Sequence, residues 1–264
     1  MSSERIEFAV FTKSWRTMPL RRLGTFVHGL GFDGVELPVR PGYQVEPEDV
    51  SRGLPAAVRV LAECGVKIHS IAGSTDEATI AACAEAGVPL IRICVGIPRD
   101  TPYLEYEADL QREFEALVPL LERHGVAIGI QNHCDRFVAN AMGIRHLIER
   151  FDRRHLCAVW DPAHCALNGE PPDVAAEIVW SHLGMVNMKN AVWLRTNGPE
   201  AEVASYRHHW TSLRQGLCSW PEVARQLKQR DYAGPVCLSA EYDAEDEVER
   251  LIAEDIGFAK SLLA

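Results

Sequence analysis

The stretch "RHGVAIGIQNHCD", residues 123–135, decides the fold. Gly125 follows a helix-like segment, and a glycine just past the last helical turn supplies a left-handed C-cap. Residues 126–130 then form a short apolar run rich in Val and Ile, which suits a strand covered on both faces. The run stops in Gln131, Asn132, His133, Cys134 and Asp135. A buried strand that empties into polar and ionisable groups is expected to end at a functional surface.

The same phrase recurs along the chain. It appears in "GLGFDGVELPV" (29–39), "ECGVKIHSIA" (63–72), "EAGVPLIRICVG" (85–96), "HLGMVNMK" (182–189) and "YAGPVCLSA" (232–240). Strands are expected at about 6–12, 34–39, 67–72, 90–95, 126–131, 157–161, 185–189 and 235–241, each followed by a helix. In 105–124, Leu110, Phe114, Leu117 and Leu121 share one helical face. "SWPE" at 219–222 reads as a capping box, with Ser219 as cap and Glu222 reaching back. Eight βα units in roughly 250 residues predict an α/β fold, a closed (β/α)8 TIM barrel. No linker or shift of composition interrupts it, so residues 1–264 are read as a single domain. An open doubly wound sheet is the alternative, but no G-x-G-x-x-G follows the first strand, and no nucleotide cofactor is expected. The longest break in the pattern, 190–218, reads as a functional loop, with "RHHW" at 207–210 as a lid.

A net charge of −10 argues against nucleic acid or an anionic membrane surface as partner. No run approaches the eighteen or so apolar residues of a membrane span. The start, "MSSERIEFAVF", reads as a polar lead into a strand with no signal-peptide pattern. Eight Cys without a CxxC pair suit a reduced, cytoplasmic protein.

In a barrel of this kind the chemistry sits at the C-terminal ends of the strands. The polar exits are Thr12 and Lys13, Glu36 and Arg40, His69, Arg92, Gln131 and His133, Asp161 and His164, Asn187 and Lys189, and Ser239 and Glu241. Side-chain alternation predicts that Gln131, Asp161, Asn187 and Glu241 converge at the mouth, with Lys189 one layer higher. Arg40, His69, Arg92 and His133 are placed for hydroxyl or phosphate groups of a substrate. Trp15, Trp193 and Trp210 are candidates for the pocket wall.

"VWDPAHC", "MKNAVW", "GIQNH", "YAGPVCLSAEYD" and "GFDGVELPVRPGYQVEPEDVSRGLPAAV" together resemble the sugar phosphate isomerase/epimerase family, which has a xylose isomerase-like TIM barrel. The resemblance runs over most of the chain. It implies a divalent ion (Mn, Mg, Co or Zn) held by Glu, Asp, His and Glu at the ends of strands five to eight. Those positions fall on Gln131, Asp161, Asn187 and either Ser239 or Glu241, of which only Glu241 is a carboxylate. Two of the four are therefore amides. Amide oxygens can bind hard cations but bring no charge, and Zn would prefer imidazole or thiolate. His133 and His164 could supply a shifted site, and Lys189 becomes the replacement cation if no metal binds.

The resemblance implies an isomerase or epimerase acting on a small carbohydrate-like substrate. Its chemistry would be proton abstraction alpha to a carbonyl, with an enediolate stabilised by metal or by Lys189. Glu241, Lys189 and His164 are the expected catalytic groups. A dehydratase of a keto-cyclitol and a metal-less, non-catalytic sugar-binding homologue are the alternatives. Barrels of this kind often associate, so a homo-oligomer is in keeping with the reading.

Overall fold

A computed structural model describes residues 5–263, so most of the polar lead lies outside the described residues. The barrel strands are β1 (Glu7–Phe11), β2 (Gly34–Pro38), β3 (Lys67–Ala72), β4 (Leu90–Cys94), β5 (Ala127–Gln131), β6 (Leu156–Trp160) and β7 (Leu183–Met188). After β7 the chain forms an antiparallel hairpin, β8 (Asn190–Arg195) and β9 (Tyr206–Thr211), before the last barrel strand, β10 (Pro235–Leu238). The helices are α1 (Leu20–Gly29), α2 (Val50–Ala62), α3 (Glu77–Ala86), α4 (Tyr103–His124), α5 (Ala141–Ile148), α6 (Pro162–Leu167), α7 (Pro172–Val179), α8 (Trp220–Gln229) and α9 (Val248–Leu263).

All eight expected strands are present, and parallel pairing closes them in the order β1-β10-β7-β6-β5-β4-β3-β2. Gly87 and Gly125 take the left-handed C-caps of α3 and α4. Phe114 and Leu121 of α4 are fully buried, while Leu110 and Leu117 pack at its margin. Small and apolar side chains fill the inside of the barrel, among them Ala9, Leu90, Cys157, Val159 and Met185. The larger core lies between the strands and the helices that cover them. All eight cysteines are free. No helix among the described residues is long and apolar enough to cross a membrane.

Three local expectations need correction. Most of the 190–218 segment, residues 190–211, is a paired hairpin rather than a loop, with Asn190 opposite Thr211 and Arg195 opposite Tyr206. Asn190 roots it: the buried amide donates to the carbonyls of Leu213 and Cys218 and accepts from the Cys218 N–H. The capping box at α8 does not form. Ser219 is the N-cap residue but makes no side-chain cap hydrogen bond, and Glu222 is taken by Arg225 and Gln226 of its own helix. The last barrel strand stops at Leu238, because Ala240 has a φ of 49° and bends the chain out of the sheet.

Candidate active site

At the C-terminal end of the barrel the strands open into a cavity of about 190 Å³. Gln131 reaches it from β5, Asn187 from β7, Lys189 from the position just past β7, and Ser239 and Glu241 from the segment after β10. Arg40, Arg92, His133 and Lys13 complete its polar lining, over Phe11 and Phe137. Lys13, Arg40 and Glu241 also line a larger vestibule of about 1130 Å³ outside it, with Trp15 and Trp210 in its wall. Asp161 and His164 stand directly behind the cavity and are fully buried.

The centre is a charge cluster. The Lys189 ammonium lies 2.8 Å from Glu241 Oε2 and 3.5 Å from Asp161 Oδ2. Lys13, just past β1, pairs with the other Glu241 oxygen. Burial alone would raise the Glu241 carboxyl, but Lys189 and Lys13 hold it well below the carboxylate range. Burial alone would lower the Lys189 ammonium, but Glu241 and Asp161 hold it above its ordinary value. Asp161 is the weaker partner, and there burial wins and raises the carboxyl. The Trp210 ring lies 4.7 Å from the Lys189 ammonium and covers it as a cation–π partner.

The chain around Glu241 is strained for this purpose. An alanine with positive φ is costly, and Ala240 is held there by Ser14, whose hydroxyl donates to the Ala240 carbonyl at 2.9 Å. Ser239 and Glu241 therefore both reach the cavity, although only Ser239 continues the line of the strand.

The amides are hydrogen-bonded into the same cluster. Gln131 Nε2 donates to Asp161 Oδ2 at 2.9 Å, and its oxygen accepts from the Cys94 thiol at 3.6 Å. Asp161 Oδ1 caps α6 by accepting from the His164 N–H at 3.2 Å. Asn132 clasps the Asp161 backbone, accepting from its N–H at 2.8 Å and donating to its carbonyl at 2.9 Å. Asn187 Oδ1 is buried and has no hydrogen-bond partner among the described residues.

The His133 and His164 rings lie against each other, tilted by 38°, with centroids 4.2 Å apart. His164 Nδ1 accepts from the Cys134 N–H at 3.0 Å, which leaves the proton on Nε2. His133 Nδ1 lies 2.9 Å from the Cys134 carbonyl and must donate there, which leaves its Nε2 unprotonated, and the residue lines the cavity. Burial lowers both imidazoles, His164 far more than His133. Both are therefore neutral near pH 7.

Arg92 is less available than its position suggests. Its Nε donates to Glu36 Oε1 at 2.6 Å, and its guanidinium lies over the Phe11 ring. Arg40 lies over the same ring at 5.6 Å, at the entrance. His69 departs from the expectation altogether. It lines the opposite, N-terminal end of the barrel with Glu7, whose carboxylate is 3.8 Å away. The β2–β3 register shifts there: Val35 pairs with Ile68 and Glu36 with Ser70, so His69 is an unpaired extra residue. A bulge of this kind upsets the alternation on which its placement rested.

The four positions implied as metal ligands do not fit a divalent ion. Two are neutral amides, and Gln131 turns its N–H toward Asp161. Both carboxylates already face ammonium groups. A second set, His133, Cys134 and His164, brings potential ligand atoms within 4.8 Å of one another, and Cys134, Asp135 and His208 form a third. In the second set the Nδ1 atoms are engaged by the Cys134 backbone, and burial pushes the shared thiol up to about 12, so it stays protonated.

Asn132, Cys94 and Phe11 were not among the candidates, although each shapes the site. Asn132 carried a signal, since it stands between Gln131 and His133 at the strand exit. Cys94 and Phe11 carried none, because both read as ordinary core.

A family model described as "Xylose isomerase-like TIM barrel" matches residues 25–262. No curated protein sequence matches the chain. Among solved structures, D-allulose 3-epimerase from Methylomonas sp. superposes with a TM-score of 0.74 at 15% identity, over 100% of both chains. The 3-keto-D-glucoside 4-epimerase YcjR from E. coli gives 0.72 at 14%, over 97% of this chain and 100% of that one. The probable 3-DHS dehydratase AsbF from Bacillus anthracis gives 0.68 at 18%, over 95% and 98%.

Proposed function

The chain belongs to the xylose isomerase-like TIM barrel family, and on that premise we propose that it isomerises or epimerises a small hydroxy-carbonyl compound of sugar type. One observation carries the reading: a neutral imidazole with a free Nε2 and a fixed, desolvated ammonium line the same polar cavity. Proton transfer next to a carbonyl needs that pair of opposites.

In this reading the substrate carbonyl oxygen lies against Lys189, and the adjacent C–H faces His133. The proton passes to His133 Nε2, the C–H electron pair becomes the new C–C double bond, and the carbonyl electrons move onto oxygen. Lys189 neutralises that oxygen. Return of the proton to the former carbonyl carbon, with the neighbouring hydroxyl proton passing to the former carbonyl oxygen, gives the isomer. Delivery of a solvent proton to the opposite face of the same carbon, with His133 releasing its own proton to solvent, gives the epimer. Glu241 is a poor base between two ammonium groups. It is better suited to hold Lys189 in place, while His164 backs the His133 ring. The open Asn187 oxygen, Ser239 and Arg40 are the proposed contacts for hydroxyl groups.

The test is wash-in of deuterium from D2O into a panel of ketoses, aldoses and keto-cyclitols, read by NMR and mass spectrometry. His133→Gln should slow exchange by roughly 100-fold or more. Lys189→Met should do so by a similar factor. Exchange that survives both substitutions sinks the assignment, and a product lighter by one water would assign dehydration instead.

A further inference from the structure

We infer that the Lys189 ammonium has taken the place of a divalent ion in this site, so that the chain works on its carbonyl substrate without one. The inference rests on the proposed reaction only for the role of the cation; the binding argument stands by itself.

Position is the first support. A single atom, Lys189 Nζ, lies 2.8 Å from Glu241 and 3.5 Å from Asp161. These are the two carboxylates left in the implied ligand set, and the ammonium occupies the space between them.

Charge balance is the second. Two carboxylates, Asp161 and Glu241, face two ammonium groups, Lys189 and Lys13, and the cluster is neutral without an ion. Adding a dication would leave two uncompensated positive charges in a site where Asp161 and Lys189 are almost fully buried. Burial of unpaired charge is strongly unfavourable.

The amides are the third. Gln131 donates through Nε2 to Asp161 at 2.9 Å. A carboxylate at 131 would face Asp161 and need more positive charge than one ammonium supplies. An amide turns that repulsion into a hydrogen bond. Gln131 and Lys189 are thus two halves of one change. The Trp210 face covers the ammonium, and the Trp220 indole N–H donates to the Lys189 carbonyl at 2.9 Å, so side chain and backbone are both held.

In the alternative His133–Cys134–His164 set the Cys134 backbone engages both Nδ1 atoms and leaves the proton on His164 Nε2, so His133 Nε2 is the one unprotonated imidazole nitrogen left to it. Such an ammonium can polarise a carbonyl and donate to the developing oxyanion, but it cannot carry a coordinated water.

The experiment uses the full chain purified without chelator. Elemental analysis should find no stoichiometric divalent ion, and the melting temperature should not move with Mn2+, Mg2+, Co2+ or Zn2+. One tightly held ion per chain, lost in Asp161→Asn or in Cys134→Ser, overturns the inference. The combined variant Gln131→Glu, Asn187→His, Lys189→Met should gain a melting shift with Mn2+ that the wild type lacks. A folded combined variant that takes no Mn2+ counts against Lys189 as the group that displaces the ion. If the combined variant fails to fold, the wild-type titration decides alone. Proton exchange is read separately. Absence of exchange on every sugar with no ion bound defeats the proposed reaction and supports the replacement, whereas EDTA-sensitive exchange defeats the replacement and supports the reaction.

Discussion

His164 shows how much a single side chain is asked to do. It is fully buried, accepts one backbone N–H, packs at a tilt on His133 and meets Trp210 edge-on. Its Nε2 has no hydrogen-bond partner among the described residues, and protonation would put a cation beside Lys189. Burial and Lys189 hold its pKa well below the ordinary value. The unfolded chain takes up a proton at about pH 6.5, whereas the folded chain resists until lower pH. The neutral-His164 share of stability is thus complete above about pH 6.5 and is lost as pH falls toward the folded value. His164→Gln forfeits packing at every pH but removes this acid sensitivity. The stability gap between wild type and variant, measured by urea unfolding, should narrow between about pH 8 and about pH 5. A constant gap would show that His164 does not titrate this way.

Among the elements, the β8–β9 hairpin turns a barrel mouth into a covered site. It brings Trp210 over Lys189 and sets His209 at the exposed Asp243 carboxylate. Asn190 is its hinge pin, with three hydrogen bonds to the backbone of Leu213 and Cys218. A side chain at Gly216 would run into that amide, so the turn is built around it. Asn190→Ala leaves buried donors and acceptors unmet, each costing about 1–3 kcal/mol. We expect a loss of about 2–4 kcal/mol in urea unfolding, with faster proteolysis confined to residues 190–218. Uniform proteolysis across the chain would show that Asn190 is not local to the hairpin. The hairpin leaves no mark in the sequence pattern, because its strands, "NAVWLR" and "YRHHWT", lack apolar alternation. Their stability comes from pairing with each other and from the root beneath them.

For the whole molecule, closure of the barrel limits what its interior can hold. Gly129 of β5 faces inward, where an added Cβ would lie 2.6 Å from Val159 and 3.0 Å from Leu90. Those two side chains, from the flanking strands β6 and β4, fill the space the glycine leaves. Gly129→Val overpacks this layer, and we expect a destabilisation of about 1–3 kcal/mol. The loss should appear in global unfolding with little change in substrate affinity, since Gly129 lies below the cavity. A neutral substitution would mean that the interior is looser than its packing indicates.

The eightfold βα pattern was legible in the sequence, and so were the polar exits, because period, caps and strand ends are local properties of the chain. Of the residues that alternation led one to expect at the mouth, Gln131, Asn187, Lys189 and Glu241 line one cavity, whereas Asp161 is buried behind it and Glu241 arrives past the bend at Ala240 rather than along the strand. What the sequence could not show is which of them pair. Lys13 and Glu241 are 228 residues apart, and Lys189 and Glu241 are 52 apart. They meet only because the barrel closes and β1 and β7 both pair with β10. His69 was misplaced for a related reason: one unpaired residue in the β2–β3 register redirects a side chain without leaving a mark in the apolar pattern. Sequence determined the order of the strands and the polar groups that follow them, though not the bend at Ala240 that ends the last one. Tertiary structure decided that an ammonium lies between Asp161 and Glu241, because electrostatic partners follow distance in space and not along the chain.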